Sequence, residues 1–135
     1  MNPNEVLIKY KLKRTSCREG IISAIMKEHK PLSESEIRDK LEGNYDRTTF
    51  YRSFKTLEET KIIHKIVIDN HVVKYAINNY ITKKPDHAHF YCQICNTVKC
   101  LENVPIQQLN LPLGYVCFET ELIIKGTCNL CQKLT

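Results

Sequence analysis

The chain has 135 residues, enough for one ordinary domain or two small ones, and its 20 Lys+Arg against 15 Asp+Glu give a formal net charge of +5. Seven cysteines, an odd number, do not suit the paired framework of a secreted mini-protein, and no apolar run approaches the length of a membrane span. The charged segment from Met1 to Arg14 lacks the apolar core of a signal peptide, so a soluble cytoplasmic protein with no membrane partner is expected.

Asn4 to Lys13 reads as a short helix with Val6, Leu7 and Tyr10 as apolar positions and a basic end at Lys9, Lys11, Lys13 and Arg14. Ser16 is placed to cap a second helix that runs to about His29, with Ile21, Ile22, Ile25 and Met26 at helical spacing. Pro31 stops it. Ser33-Glu34-Ser35-Glu36 is a capping box, with Leu32 and Ile37 at the positions of a hydrophobic staple. That third helix is expected to reach about Leu41 and to close at Gly43.

Asp46 caps a fourth helix, Arg47 to about Lys61, with Phe50, Phe54 and Leu57 on one face. The opposite face holds Thr48, Tyr51, Arg52 and Lys55, the hydroxyl, aromatic and cationic groups that read base edges and hold phosphates. Two β-branched runs, Ile62–Ile68 and Val72–Ile77, flank the turn Asp69-Asn70-His71 and read as a hairpin. Helices followed by a hairpin predict a winged helix-turn-helix over 1–82, with the fourth helix in the recognition position.

Asn78 to Asp86 is polar and reads as a linker. Beyond it the composition changes. Residues 1–85 hold 17 Lys+Arg against 11 Asp+Glu, whereas residues 86–135 hold 3 against 4. A basic first half suits a polyanionic partner; the second half is nearly neutral and rich in cysteine. In that half Thr97–Leu101 predicts a strand, Pro105–Leu109 a short helix, and the alternating run Tyr115–Ile124 a second strand. The expected fold class is therefore α+β: the winged helix, then a small α/β domain over 83–135.

Two C-x-x-C pairs, Cys92/Cys95 and Cys128/Cys131, stand 32 residues apart. Each pair presents two sulfurs from one tight turn, and two such turns complete the tetrahedral thiolate shell that Zn²⁺ prefers. A closed four-thiolate shell leaves no position for substrate, so this zinc is structural. Two disulfides or unrelated core thiols are the alternatives, and a reducing compartment disfavours the first. Enzyme signatures are missing: only four glycines occur, with no phosphate loop, no G-x-S-x-G and no H-E-x-x-H.

Four motifs in order resemble the ferric-uptake-regulator family of metal-dependent bacterial repressors: Thr15-Ser16-Cys17-Arg18, Thr48-Thr49-Phe50-Tyr51-Arg52, His87-Ala88-His89-Phe90-Tyr91-Cys92-Gln93-Ile94-Cys95, and Gly126-Thr127-Cys128-Asn129-Leu130-Cys131. The resemblance implies a homodimer that binds a palindromic double-stranded DNA operator and dimerises through its second domain. It implies that Tyr51 and Arg52 face DNA, with Lys13, Arg14 and Arg18 near the backbone or minor groove. It also implies a second, regulatory divalent-metal site (Zn²⁺ or Fe²⁺) near the hinge.

At that regulatory site the chain departs from the family. His87 and His89 are kept, but the loop before the third helix offers Pro31 with His29 nearby, the wing carboxylate position holds Ala76, and the last carboxylate is Cys100. A further family site is lost, with Ala88 and Thr120 at its positions. The regulatory set expected here is His87, His89 and Cys100, completed by His29, His71 or water. A thiolate in place of a carboxylate favours zinc over iron. The competing readings are a metal-blind regulator with a vestigial site, or a thiol sensor using Cys17, Cys100 or Cys117.

Overall fold

Four helices and a hairpin form the first part of the chain in the computed structural model, which describes residues 1–28, 30–69, 71–78, 81, 87–107, 109–117 and 120–133. The helices are α1 (Pro3–Lys9), α2 (Ser16–Glu28), α3 (Glu34–Asp39) and α4 (Arg47–Glu59); the hairpin strands are β1 (Ile63–Val67) and β2 (Val73–Ile77). Strands β3 (His87–Cys92), β4 (Val98–Pro105) and β5 (Ile123–Gly126) follow, with a last helical turn α5 (Asn129–Gln132). The chain divides into two compact units, Met1–Lys84 and Pro85–Thr135. Most of the expected linker, and His29, lie outside the described residues.

Local chemistry sets the helix starts of the first unit. Asn2 and Ser33 each form a reciprocal capping box, with Glu5 and Glu36 respectively. The Asp46 carboxylate accepts the Thr49 amide at 2.7 Å, satisfying a donor that the first turn of α4 leaves open. The apolar stripes then close one core. Val6 and Leu7 of α1, Ile21, Ile22 and Ile25 of α2, Ile37 of α3, and Phe50, Phe54 and Leu57 of α4 are all buried in it. Phe54 meets the hairpin edge-to-face, its ring centroid 4.6 Å from that of Tyr75. Leu32 and Tyr75 exchange backbone hydrogen bonds at 3.0 and 2.7 Å, which ties the loop before α3 to the edge of the hairpin. This is the element order of a winged helix-turn-helix.

The helix ends differ from the sequence expectation. α1 stops at Lys9, four residues short, because Lys11 turns into the left-handed region (φ 57°) and the Leu12 and Lys11 amides bond back to the Leu7 and Ile8 carbonyls. α4 ends at Glu59 in the same way, with Lys61 at φ 66° and Ile62 bonded back to Leu57. Both are Schellman motifs, and both use Lys where glycine is the usual signal. α2 is capped by Thr15, whose hydroxyl accepts the Arg18 amide, so Ser16 is its first helical residue rather than its cap. α3 is one turn and a half, ending at Asp39 with Lys40 as its cap.

In the second unit the sheet order is β4-β3-β5, antiparallel to β4 and parallel to β5. Two expectations fail here. Pro105 does not start a helix: it ends the edge strand β4 opposite His87, where a missing amide costs no ladder bond. Among the described residues of the run from Tyr115, strand pairing begins only at Ile123, opposite His89, with the Leu122 carbonyl just before it accepting the His89 amide at 2.9 Å; Tyr115, Val116 and Leu122 are exposed, and Phe118 and Glu119 lie outside the described residues. Among the described residues of this unit the buried apolar positions are few: Ala88, Tyr91, Cys92, Val98 and Cys131. A core this small needs another source of stability.

One ion pair joins α3 to the hairpin. The Lys74 ammonium meets the Glu36 carboxylate at 2.5 Å. Burial pushes the Glu36 carboxyl up, but the bonds from Lys74 and Ser33 outweigh it and hold it below the ordinary carboxylate range. A depressed carboxyl pKa adds stability that is present at neutral pH and lost as the pH falls through the folded value. Lys74→Met is expected to lower stability by roughly 0.5 kcal/mol at pH 7, a partly exposed pair being screened. In denaturant melts the gap from the unaltered protein should close on acidification below the ordinary Glu range.

Candidate metal centres and nucleic-acid face

The four paired cysteines meet in space because β3 and β5 run parallel. Cys92, the last residue of β3, pairs with Gly126 at the end of β5, and Cys128 follows two residues on. The Gln93 amide donates to the Gly126 carbonyl at 2.8 Å, which locks the two turns together. The approach is tight: a Cβ at Gly126 would lie 3.3 Å from the Phe90 ring, which would have to give by a few tenths of an ångström. Cys128 caps α5, its Sγ accepting the Cys131 amide at 3.5 Å, so the second pair sits on a helical turn.

One sulfur from each of Cys92, Cys95, Cys128 and Cys131 lies within 4.8 Å of the others. Cys95 Sγ and Cys128 Sγ are 3.9 Å apart. Four thiolates at the usual Zn–S distance stand about 3.8 Å apart in a tetrahedron. All seven cysteines are free thiols. Backbone amides aim at the cluster: those of Cys95 and Cys128 lower the Cys92 thiol to about 6. The Thr97 hydroxyl and amide lower Cys95, while hydrogen bonding to Cys128 and burial push Cys131 up to about 12. Amides that favour thiolate, a dense sulfur cluster and a small core are what a structural tetrathiolate ion requires. The donor set fits zinc.

A second cluster lies on the same sheet. His87 and His89 are two residues apart on β3 and share a face; Cys100 on β4 is directly opposite His89. One ligand atom from each lies within 4.8 Å of the other two, and both histidines are buried. No hydrogen bond reaches the buried His87 Nε2 or His89 Nδ1. The ladder is irregular beyond this point, with Ala88 opposite Leu101 but His87 opposite Pro105. Two imidazoles and a thiol form a donor set suited to a borderline-soft divalent ion. Of the proposed fourth ligands, His71 belongs to the first unit and His29 lies outside the described residues.

In the first unit, Thr48, Tyr51, Arg52 and Lys55 are all exposed on α4, opposite the buried Phe50, Phe54 and Leu57. A cleft of about 520 Å³ brings Arg18, Arg52 and Lys55 together with Thr15, Tyr45 and Thr49. Tyr45 is not among the candidates read from the sequence, and Thr49 enters there only as part of the Thr48–Arg52 motif. Lys13 is exposed. Arg14 pairs with Glu19, and the Arg18 guanidinium donates to the Lys13 carbonyl at 2.7 Å. A larger cleft, about 810 Å³, alternates Arg14, Lys27 and Lys40 with Glu19, Glu28 and Glu42, and mixed signs do not select a polyanion.

Comparison with known proteins adds the family. Residues 9–113 match the profile of the Ferric uptake regulator family. A Ferric uptake regulation protein of Staphylococcus epidermidis is 28% identical over 141 residues, spanning 98% of this chain and 99% of that one. The iron-bound ferric uptake regulator of Francisella tularensis superposes with a TM-score of 0.65 at 23% identity, covering 90% of this chain and 95% of that one. A zinc uptake regulator complexed with zinc and DNA does so at 0.64 and 17% identity, covering 97% and 91%. The shared fold is that of metal-responsive transcription factors. The chain belongs to the ferric uptake regulator family; it is a metalloregulator of transcription, not an enzyme.

The purified protein is expected to retain about one zinc per chain, and Cys95→Ser to lose it. Because so little core remains without the ion, that variant should lower the stability of the second unit by about 3 kcal/mol or more, read by thermal melting with metal analysis. Unchanged melting would remove zinc from this account.

Proposed function

We propose that this chain is a cytoplasmic, homodimeric DNA-binding repressor whose grip on its operator is set by a divalent ion at His87, His89 and Cys100, with zinc preferred over iron. The observation that carries the metal preference is the position of Cys100. Cross-strand pairing puts a thiol opposite His89, and a set of two nitrogens and one sulfur is softer than the oxygen-rich spheres that suit iron and manganese. On this reading Cys92, Cys95, Cys128 and Cys131 hold a structural zinc, and the three-ligand cluster is the switch.

Duplex DNA is assigned to the exposed face of α4. Arg52 and Tyr51 point away from the core at the middle of the helix, where base edges would lie. Lys13, Arg14, Arg18 and Lys55 are placed to meet phosphates, and Thr48 to meet backbone or base. Self-association is supported by the second unit's exposed apolar run, Leu109, Leu111, Leu113, Tyr115, Val116 and Leu122, which a lone chain leaves in water. A palindromic operator would follow from such a dimer. Among relatives, one is an iron-bound ferric regulator and one a zinc regulator on DNA, so relatedness alone leaves the metal to the ligands of this chain.

Filling the switch would act through the junction. His87 opens β3 just after the boundary between the two units at Lys84 and Pro85. Filling the site would shift the population of DNA-binding-competent dimers, with His29, His71 or water as the fourth ligand.

Two measurements test this reading. Against an operator selected from random duplexes, Arg52→Ala should weaken binding by roughly 1–3 kcal/mol for that sequence. Lys13→Ala should instead weaken all sequences alike and flatten the salt slope by about one. Protein that already carries its structural zinc should take up a second zinc on titration. Cys100→Ser should then move the DNA response to higher zinc. Equal operator binding with and without added zinc, iron or manganese would favour a metal-blind regulator; loss of binding on mild oxidation with zinc retained would favour a thiol sensor.

A further inference from the structure

The first cysteine pair is held by a contact that the metal does not make. Between Cys92 and Thr97 the chain reverses, and it does so through Asn96, which sits in the left-handed region at φ 61°. The Asn96 amide donates to the Cys92 carbonyl at 2.9 Å, and the Cys92 amide to the Thr97 carbonyl at 3.1 Å, so the reversal closes on itself. Its conformation decides whether Cys92 Sγ and Cys95 Sγ face the same point. Asparagine visits this region more readily than most residues, but at a cost that glycine does not bear.

Tyr91 supplies the constraint. Its ring is buried in β3 opposite Val98, which is itself buried, and its hydroxyl donates to Asn96 Oδ1 at 2.8 Å. Asn96 is otherwise exposed, so this bond joins a rigid, packed side chain to the one strained residue of the turn. Thr97, next along, places its hydroxyl 3.5 Å from Cys95 Sγ. A buried phenol therefore fixes the backbone from which Cys95 and Thr97 project.

We infer that Tyr91 and Asn96 form a clamp that presets the Cys92–Cys95 turn for metal, making Tyr91 a positioning residue of the four-cysteine site. The inference rests on the zinc reading of those cysteines. Its particular consequence is conditional. Without the clamp, the left-handed turn is populated less and metal must organise it on binding, so affinity falls. With glycine at that position the turn forms readily, and the phenol hydroxyl becomes dispensable.

The test is a cycle of Tyr91→Phe and Asn96→Gly in the full-length protein. Zinc affinity is read by competition with a chromophoric chelator, and geometry by the thiolate-to-metal charge-transfer bands of the cobalt-substituted site. Tyr91→Phe alone should weaken zinc by about tenfold, the scale of lost outer contacts at metal sites, and perturb the cobalt bands. Asn96→Gly alone should stay near the unaltered protein. In the Asn96→Gly background, Tyr91→Phe should have no further effect on affinity or spectrum. Equal losses from Tyr91→Phe in both backgrounds would reduce Tyr91 to core packing and overturn the clamp, as would bands and affinity unmoved by Tyr91→Phe. Cobalt–thiolate bands absent from the unaltered protein would overturn the zinc reading and the clamp with it.

Discussion

Four sulfurs brought within one coordination sphere are the constraint on which the second half of this molecule depends. They come from two short turns far apart in the chain, and the parallel pairing of β3 with β5 delivers them to one place. Among the described residues of the unit they close, the buried apolar positions are Ala88, Tyr91, Val98 and two of the cysteines themselves. The first unit differs. Its four helices and hairpin share one continuous core and include no cluster of metal ligands among the described residues. On the proposed zinc reading, metal binding is a folding term for the second unit.

The same strand carries both clusters. On β3, His87 and His89 project to one face and Cys92 closes the strand, while β4 returns Cys100 opposite His89. Ligands of both clusters are therefore set on one short element, with Tyr91 between them. The β3–β4 register places Cys100 opposite His89, and one ligand atom from each of His87, His89 and Cys100 already lies within 4.8 Å of the other two.

Much of this was legible in the residues. The capping box at Ser33, the Asp46 cap and the Phe50, Phe54, Leu57 stripe are local chemistry, and they appear as the sequence pattern predicts. The C-x-x-C pairs announce the four-sulfur cluster because metal geometry is a short-range rule repeated twice. Helix ends were less legible. Lys11 and Lys61 adopt the left-handed conformation with no glycine to mark it, since the burial of Leu7 and Leu57 and the returned hydrogen bonds outweigh the strain. The strand expected from Tyr115 failed for another reason. Alternation states which residues suit a sheet, but a strand also needs a neighbour for its backbone, and among the described residues that neighbour, β3, is met only from Leu122 and Ile123. The meeting of Cys100 with His89 depends on cross-strand register, which the sequence pattern does not state; only the family resemblance pointed to it.

The most direct test of the central dependence is amide hydrogen exchange on the full-length protein before and after zinc removal by a chelator. The account predicts that removal strips protection from β3, β4 and β5, while α2 and α4 keep the slow exchange of an intact core. Restoring zinc should restore it. Protection in β3 and β5 that is unchanged by complete zinc removal would contradict the claim that the four-sulfur site holds the second unit together.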